Sequence, residues 1–154
     1  MKTVIRGALF VTAMLAAGAA SAADELLTMP IDQALASPAA KSRIDPGIKL
    51  LFGFNRIEGG QDARLYKTVK RVRRPVNKVA NGPVPTDADL CASMFVEAVQ
   101  DLQQRATREG NNAVAEIHSN WKDDETASDS TYVCAKGSAY IGVALKAVLV
   151  KVGG

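Results

Sequence analysis

Cys91 and Cys134 are the only two thiols of the 154-residue chain, and what they can do depends on where the protein folds. Lys2 and Arg6 precede an apolar run from Gly7 to Ala20, and Ala20-Ser21-Ala22 is a small-x-small cleavage site. Residues 1–22 therefore read as a cleaved signal peptide, with a mature chain starting at Ala23 and a periplasmic destination. In an oxidising compartment the cysteine pair is expected to form a disulfide rather than a redox dithiol or a metal clip. The competing chemistry is a thiolate activated at a helix N-terminus, because Cys91 falls in the first turn of a predicted helix; it needs a neighbouring base and a reducing partner.

Two further groups could do chemistry. His118 is the sole histidine, and Asp123, Asp124 and Glu125 follow it closely, so it could join those carboxylates as a nitrogen and oxygen donor set for a metal. The bland alternative is a strand-end histidine beside a solvated acidic loop. Lys67, Lys70, Arg71, Arg73, Arg74 and Lys78 form a basic stretch. If it is extended, Lys70 alternates away from Arg71 and Arg73, which spreads the cations over two faces. Such a stretch either keeps an edge strand from pairing or meets anionic envelope headgroups. Nucleic acid is not expected, since only Tyr66 stands near as a stacking platform and export removes the target.

Other functions find no motif. The chain has no G-x-x-x-x-G-K-[ST] phosphate loop, no H-E-x-x-H and no G-x-S-x-G, and Gly53, Gly59 and Gly60 do not reproduce a dinucleotide fingerprint. The reading is a non-enzyme without a cofactor. Across the whole chain 19 Lys and Arg face 16 Asp and Glu, and Lys2 and Arg6 leave with the signal, so whole-protein charge gives no case for polyanion attraction. The apolar run 139–152 is too short for a membrane span and carries Lys146 and Lys151.

The elements that must hold these groups read as one α+β domain over residues 23–154, a small sheet packed against one long helix. Residues 23–48 read as a short helical segment punctuated by Pro30, Pro38 and the turn Asp45-Pro46-Gly47. Ile48 to Phe54 follows as a first strand. The polar stretch 55–85, broken by Gly59-Gly60, Pro75, Asn81-Gly82, Pro83 and Pro85, reads as a loop or hairpin excursion in which Leu65 to Val72 could alternate as a strand. Thr86 caps the long helix with Asp89 three residues on, and Gly110 stops it. Leu90, Cys91, Met94, Phe95, Ala98, Leu102 and Ala106 lie on one apolar stripe, so the Cys91 thiol faces the sheet. Asn112–Ser119 and Thr131–Ala135 read as strands, 122–130 as an acidic loop, and Tyr140–Val152 as a strand covered on both faces. Cys134, alternating with Tyr132, would then meet Cys91 and clip the helix start to the sheet.

The Cys91-bearing helix, Gly110-Asn111-Asn112-Ala113-Val114 and the run from Tyr132 to Ala139 resemble a group of small exported bacterial proteins that often carry the label "excinuclease ATPase subunit". The resemblance extends through Met29-Pro30 and Leu51-Phe52-Gly53. An exported chain without a phosphate loop does not inherit the labelled activity. The same helix, the Gly-Asn-Ala-Val strand start and the cysteine before Gly137-Ser138-Ala139 are distantly similar to the envelope-stress sensor RcsF and the YbjQ-like fold. That similarity implies an α+β domain acting by contact with another envelope protein. This chain departs from it in lacking the lipid-bearing cysteine and a second disulfide, and in carrying Asn120 where the sensor has a cysteine.

Overall fold

The computed structural model describes residues 23–75 and 82–153, so residues 1–22, read above as a signal peptide, and Lys78 lie outside the described residues. The elements run β1 (Glu25–Pro30), α1 (Ile31–Ala36), α2 (Pro38–Arg43), β2 (Lys49–Phe52), β3 (Gln61–Arg73), α3 (Asp87–Arg108), β4 (Ala113–Trp121), β5 (Asp124–Thr126), β6 (Thr131–Lys136) and β7 (Tyr140–Lys151). This is an α+β fold: a seven-stranded sheet that does not close, ordered β1-β6-β7-β4-β2, with β3 added along β7 and β5 along β4. Among the described residues no helix is long and apolar enough to cross a membrane.

The α3 boundaries follow from capping chemistry. Thr86 and Asp89 form a reciprocal capping box, each side chain bonding the other's backbone N–H, which satisfies two of the orphan donors at the helix start. At the far end Gly110 takes φ 76°, and the Asn111 N–H donates to the Ala106 carbonyl over 2.8 Å. One face of α3 packs on the sheet through Cys91, Met94, Phe95, Ala98, Leu102 and Ala106. The buried surface is wider than that stripe, because α1 and α2 lie against the flank of α3 and cover Val96, Val99 and Gln103 as well. Gln103 is satisfied there: its side-chain amide donates to the Asp45 carbonyl over 2.8 Å and its oxygen accepts from the Asp45 N–H over 2.9 Å.

Two expectations are corrected and one is extended. The segment 23–48 is not wholly helical, since Glu25–Pro30 pairs antiparallel with β6 before α1 begins, which makes Lys49–Phe52 the second strand rather than the first. Within 55–85 the alternating strand read over Leu65–Val72 is present and longer: β3 has 13 residues and pairs with β7 along nearly its whole length. Within the acidic loop 122–130, Asp124–Thr126 folds back on β4, with Trp121 opposite Asp124. The two residues between, Lys122 and Asp123, take φ 53° and 64°, the left-handed pair that a tight hairpin turn requires.

Candidate functional site

The bridge comes first because it removes a chemistry. Cys91 and Cys134 are joined, with S–S 1.99 Å and Cα–Cα 5.8 Å across 43 residues of sequence, and both are wholly buried. It ties the first turn of α3 to β6 under the stacked rings of Phe95 and Tyr132, whose centroids lie 4.1 Å apart. Neither sulfur is a free thiol.

The helix covers one side of the sheet; His118, Glu125, Asp123, Lys67 and Arg71 gather on the other. A bulge in β4 puts His118 there. Its register against β7 shifts between Ala115 and His118, and Glu116 sits in the shift at φ 49°, tied to the Asn55 carbonyl over 3.1 Å and to Arg56. One extra residue resets the alternation. Val114 and Ile117 both join the helix-side core, whereas Ala115 stands opposite Val148 and His118 opposite Lys146. Reading across from β3 gives two successive rows on this open side: Leu65, Val148, Ala115, and then Lys67, Lys146, His118.

His118 is nearly buried and engaged at both ring nitrogens. Nε2 donates to the Gly53 carbonyl over 2.9 Å, Nδ1 meets the Glu125 carboxylate, and the Phe54 ring approaches edge-on at 5.4 Å. Glu125 also binds Lys146, and Lys146 first, His118 second, hold its carboxyl below the ordinary glutamate range. Gly53 is required at its place: its φ is 66°, and a Cβ would press on the Ser128 and Asp129 backbone at 3.0 Å. Asp123 binds Lys67 over 2.6 Å and Asn120 over 3.3 Å, and those two partners, in that order, lower its pKa. Asp124 is exposed on β5. The fold thus brings His118 to Glu125 but engages Asp123 with cations; among the described residues no three His, Cys, Asp or Glu groups converge as a metal donor set.

The basic stretch divides as its alternation predicts. Lys70 turns toward α3 and binds Asp101 over 3.4 Å, next to Thr68, whose hydroxyl donates to the same carboxylate over 2.5 Å. Arg71 points to the open side and lies over the Trp121 ring at 5.0 Å. Arg74 reaches Asp87 at the start of α3 through Nε at 3.1 Å and Nη2 at 3.2 Å, and Lys136 binds the same aspartate. Lys67, Lys70 and Arg74 therefore answer internal carboxylates. Arg64 and Arg73 are exposed and, with Arg71, have no carboxylate partner among the described residues.

Sequence reasoning missed the apolar part of the surface. Leu65 and Val69 on β3 and Tyr140 on β7 are more than half exposed, and Phe54 is 77% exposed. Leu65, Lys67, Val69, Arg71 and Arg73 recur at every second residue, a period-two signal that marks the strand in the sequence but not which of its faces stays uncovered. Also missed was a cleft of about 440 Å³ beside Trp121, where the indole N–H donates to Asp24 over 3.1 Å and Lys122 binds the same carboxylate over 2.9 Å. Gly142 floors the contact: a Cβ there would stand 2.5 Å from the Trp121 ring. No family model matches the chain, and no curated protein or solved structure does.

Proposed function

We propose that the mature chain is a non-catalytic periplasmic protein that works by contact with another envelope protein, as an interaction or envelope stress-response module. The observation that carries this reading is the open side of the sheet, where the exposed Leu65, Val69, Tyr140 and Phe54 share a surface with Arg71 and Arg73, which have no carboxylate partner among the described residues. Apolar side chains rimmed by arginine are the composition of protein-contact surfaces. The resemblance to the RcsF and YbjQ-like fold and the predicted signal peptide support the envelope placement. Against a cysteine-dependent enzyme stands the buried bridge, which leaves no nucleophile at Cys91. A metal ion or an anionic envelope ligand such as a lipid headgroup has less support, because Asp123, Lys67, Lys70 and Arg74 already neutralise groups of the same chain.

Photo-crosslinking in cells that export the protein tests the reading. A photoreactive residue at Leu65, Val69 or Tyr140 is expected to give discrete protein adducts in the periplasmic or membrane fraction, and one at Gln104, exposed on α3, none. Absence of adducts from all three open-side positions, or the same adducts from Gln104, overturns it.

A further inference from the structure

The long strand β3 is paired on one side only. Its 13 residues lie along β7, and among the described residues no strand pairs with its outer side. The phase of the ladder identifies which backbone groups are left over. Arg74 donates its N–H to Ala139 across the β3–β7 seam over 2.8 Å, and the register from Arg64 to Arg73 runs without a shift. Because an antiparallel strand aims its hydrogen-bonding groups at one neighbour at every second residue, Tyr66, Thr68, Lys70 and Val72 face β7. Leu65, Lys67, Val69, Arg71 and Arg73 aim theirs outward. A run of free donors and acceptors this long is a template for one more strand, and proteins ordinarily shorten or cover such edges.

Charge decides what can lie there. β3 carries Arg64, Lys67, Lys70, Arg71 and Arg73 against a single acidic residue, Asp62. A second copy pairing β3 to β3 would set cations opposite cations, which disfavours the pair. We propose that the outer edge of β3 takes up an extended acidic segment of a partner protein as an added strand, with partner carboxylates set against Arg71 and Arg73 and partner apolar residues against Leu65 and Val69. The partner class deepens the protein-contact reading and rests on it. Backbone pairing would supply affinity and alternate side chains the selection, the mode by which extended peptides join open sheet edges.

The test uses the mature protein and a synthetic peptide, Glu-Thr-Glu-Thr-Val-Thr-Glu-Thr-Val, whose glutamate and valine residues share one face and in antiparallel register meet Arg73, Arg71, Val69, Lys67 and Leu65 in turn, a length within the usual range of a strand. Its comparison peptides are the same sequence with lysine in place of each glutamate, and the original sequence N-methylated at its glutamate and valine amides, which keeps the charge but cannot complete a ladder with β3. The acidic peptide is expected to bind saturably and more tightly than either comparison by roughly tenfold or more. On saturation, amide exchange should slow at Leu65, Lys67, Val69 and Arg71 and stay unchanged at Tyr66, Thr68 and Lys70. Val69→Pro removes an outward N–H that no described strand uses, a position where an edge strand accepts proline, and should abolish binding while the protein stays folded. Arg73→Glu should weaken binding without altering the ladder. Equal binding of the N-methylated peptide means charge attraction alone and overturns the proposal. So do a failure of the acidic peptide to bind, or protection of the outward amides that rises with protein concentration in its absence, which would make a second copy the occupant. Open-side crosslinks that survive Val69→Pro would sink the edge and leave the protein-contact reading standing.

Discussion

Replacing Phe95 by alanine tests whether the helix, the bridge and the sheet are held by one core. The ring is wholly buried, stacked on Tyr132 at 4.1 Å and tilted against Phe52 at 6.0 Å, on the same stripe as Cys91 and Leu102. Truncating a buried phenylalanine removes its transfer free energy and leaves a cavity, about 3–5 kcal/mol together. The upper half of that range is expected here. Phe95 bridges the helix and two strands, and the disulfide beside it restrains the backbone movement that could close the hole. Losing the aromatic contact with Tyr132 adds about 0.5–1.5 kcal/mol within the same measurement. Urea unfolding of the oxidised protein, followed by the single Trp121, should show a lower midpoint with an unchanged slope. Phe95→Leu, which refills most of the volume, should recover well over half of the loss. A loss below about 1 kcal/mol for Phe95→Ala, far under the about 3–5 kcal/mol typical of a buried aromatic truncation, would mean that the ring does not sit where α3 meets the sheet.

Mass analysis of exported protein without reductant should find both cysteines in one intramolecular bridge, and Cys91→Ala with Cys134→Ala should lower stability by about 2–4 kcal/mol. Quantitative alkylation of both without reductant would refute the pairing. Replacing Arg71, Arg73 and Arg74 by serine is expected to lower stability by about 1–2 kcal/mol, since the Trp121 stacking and the two-pronged Asp87 contact are lost together; a melting temperature that does not move would mean both contacts are solvated. The same variant and the wild type should both ignore anionic vesicles at physiological salt, and wild-type binding that fades as salt rises would restore the headgroup reading. Glu125 has its pKa lowered in the folded protein, by Lys146 and then His118, so its contribution to stability is present above the ordinary glutamate pKa and is lost as pH falls through the lower folded value. Glu125→Gln should therefore flatten the acid limb of the stability curve, and an acid limb identical to wild type would show that the Lys146 pairing is not maintained in solution.

What the sequence disclosed, and what it hid, divides along one physical line. Local rules were readable. Thr86 and Asp89 start α3, Gly110 ends it, and the Cys91 stripe faces the sheet, because caps and helical periodicity are settled within a few residues. Elements that exist only through distant pairing were not. Glu25–Pro30 has no period of its own and becomes a strand because β6 lies beside it; β3 shows its alternation over Leu65–Val72, but its full length, Gln61–Arg73, is set only by the ladder with β7. Lys122-Asp123 makes a hairpin turn without the Asn-Gly pair that usually announces one.

The surface was hidden by the same mechanism. His118 shares a side of the sheet with Ala115, three residues earlier, only because the Glu116 bulge breaks the two-residue alternation, and no pattern in the sequence marks that break. Sequence spacing therefore grouped His118 with Asp123, Asp124 and Glu125 as a donor set, while the fold inserted Lys67 and Lys146 from two other strands among those carboxylates. A local cluster that reads as a metal site from one strand and its turn becomes, once four strands contribute, a charge-balanced network with an apolar border. This is also why the basic stretch misleads when read alone. Lys67 answers the acidic loop at Asp123, whereas Lys70 and Arg74 answer Asp101 and Asp87 of α3, and what those pairings leave over among the described residues, Arg71, Arg73 and the outward backbone of β3, is what the proposed partner would recognise.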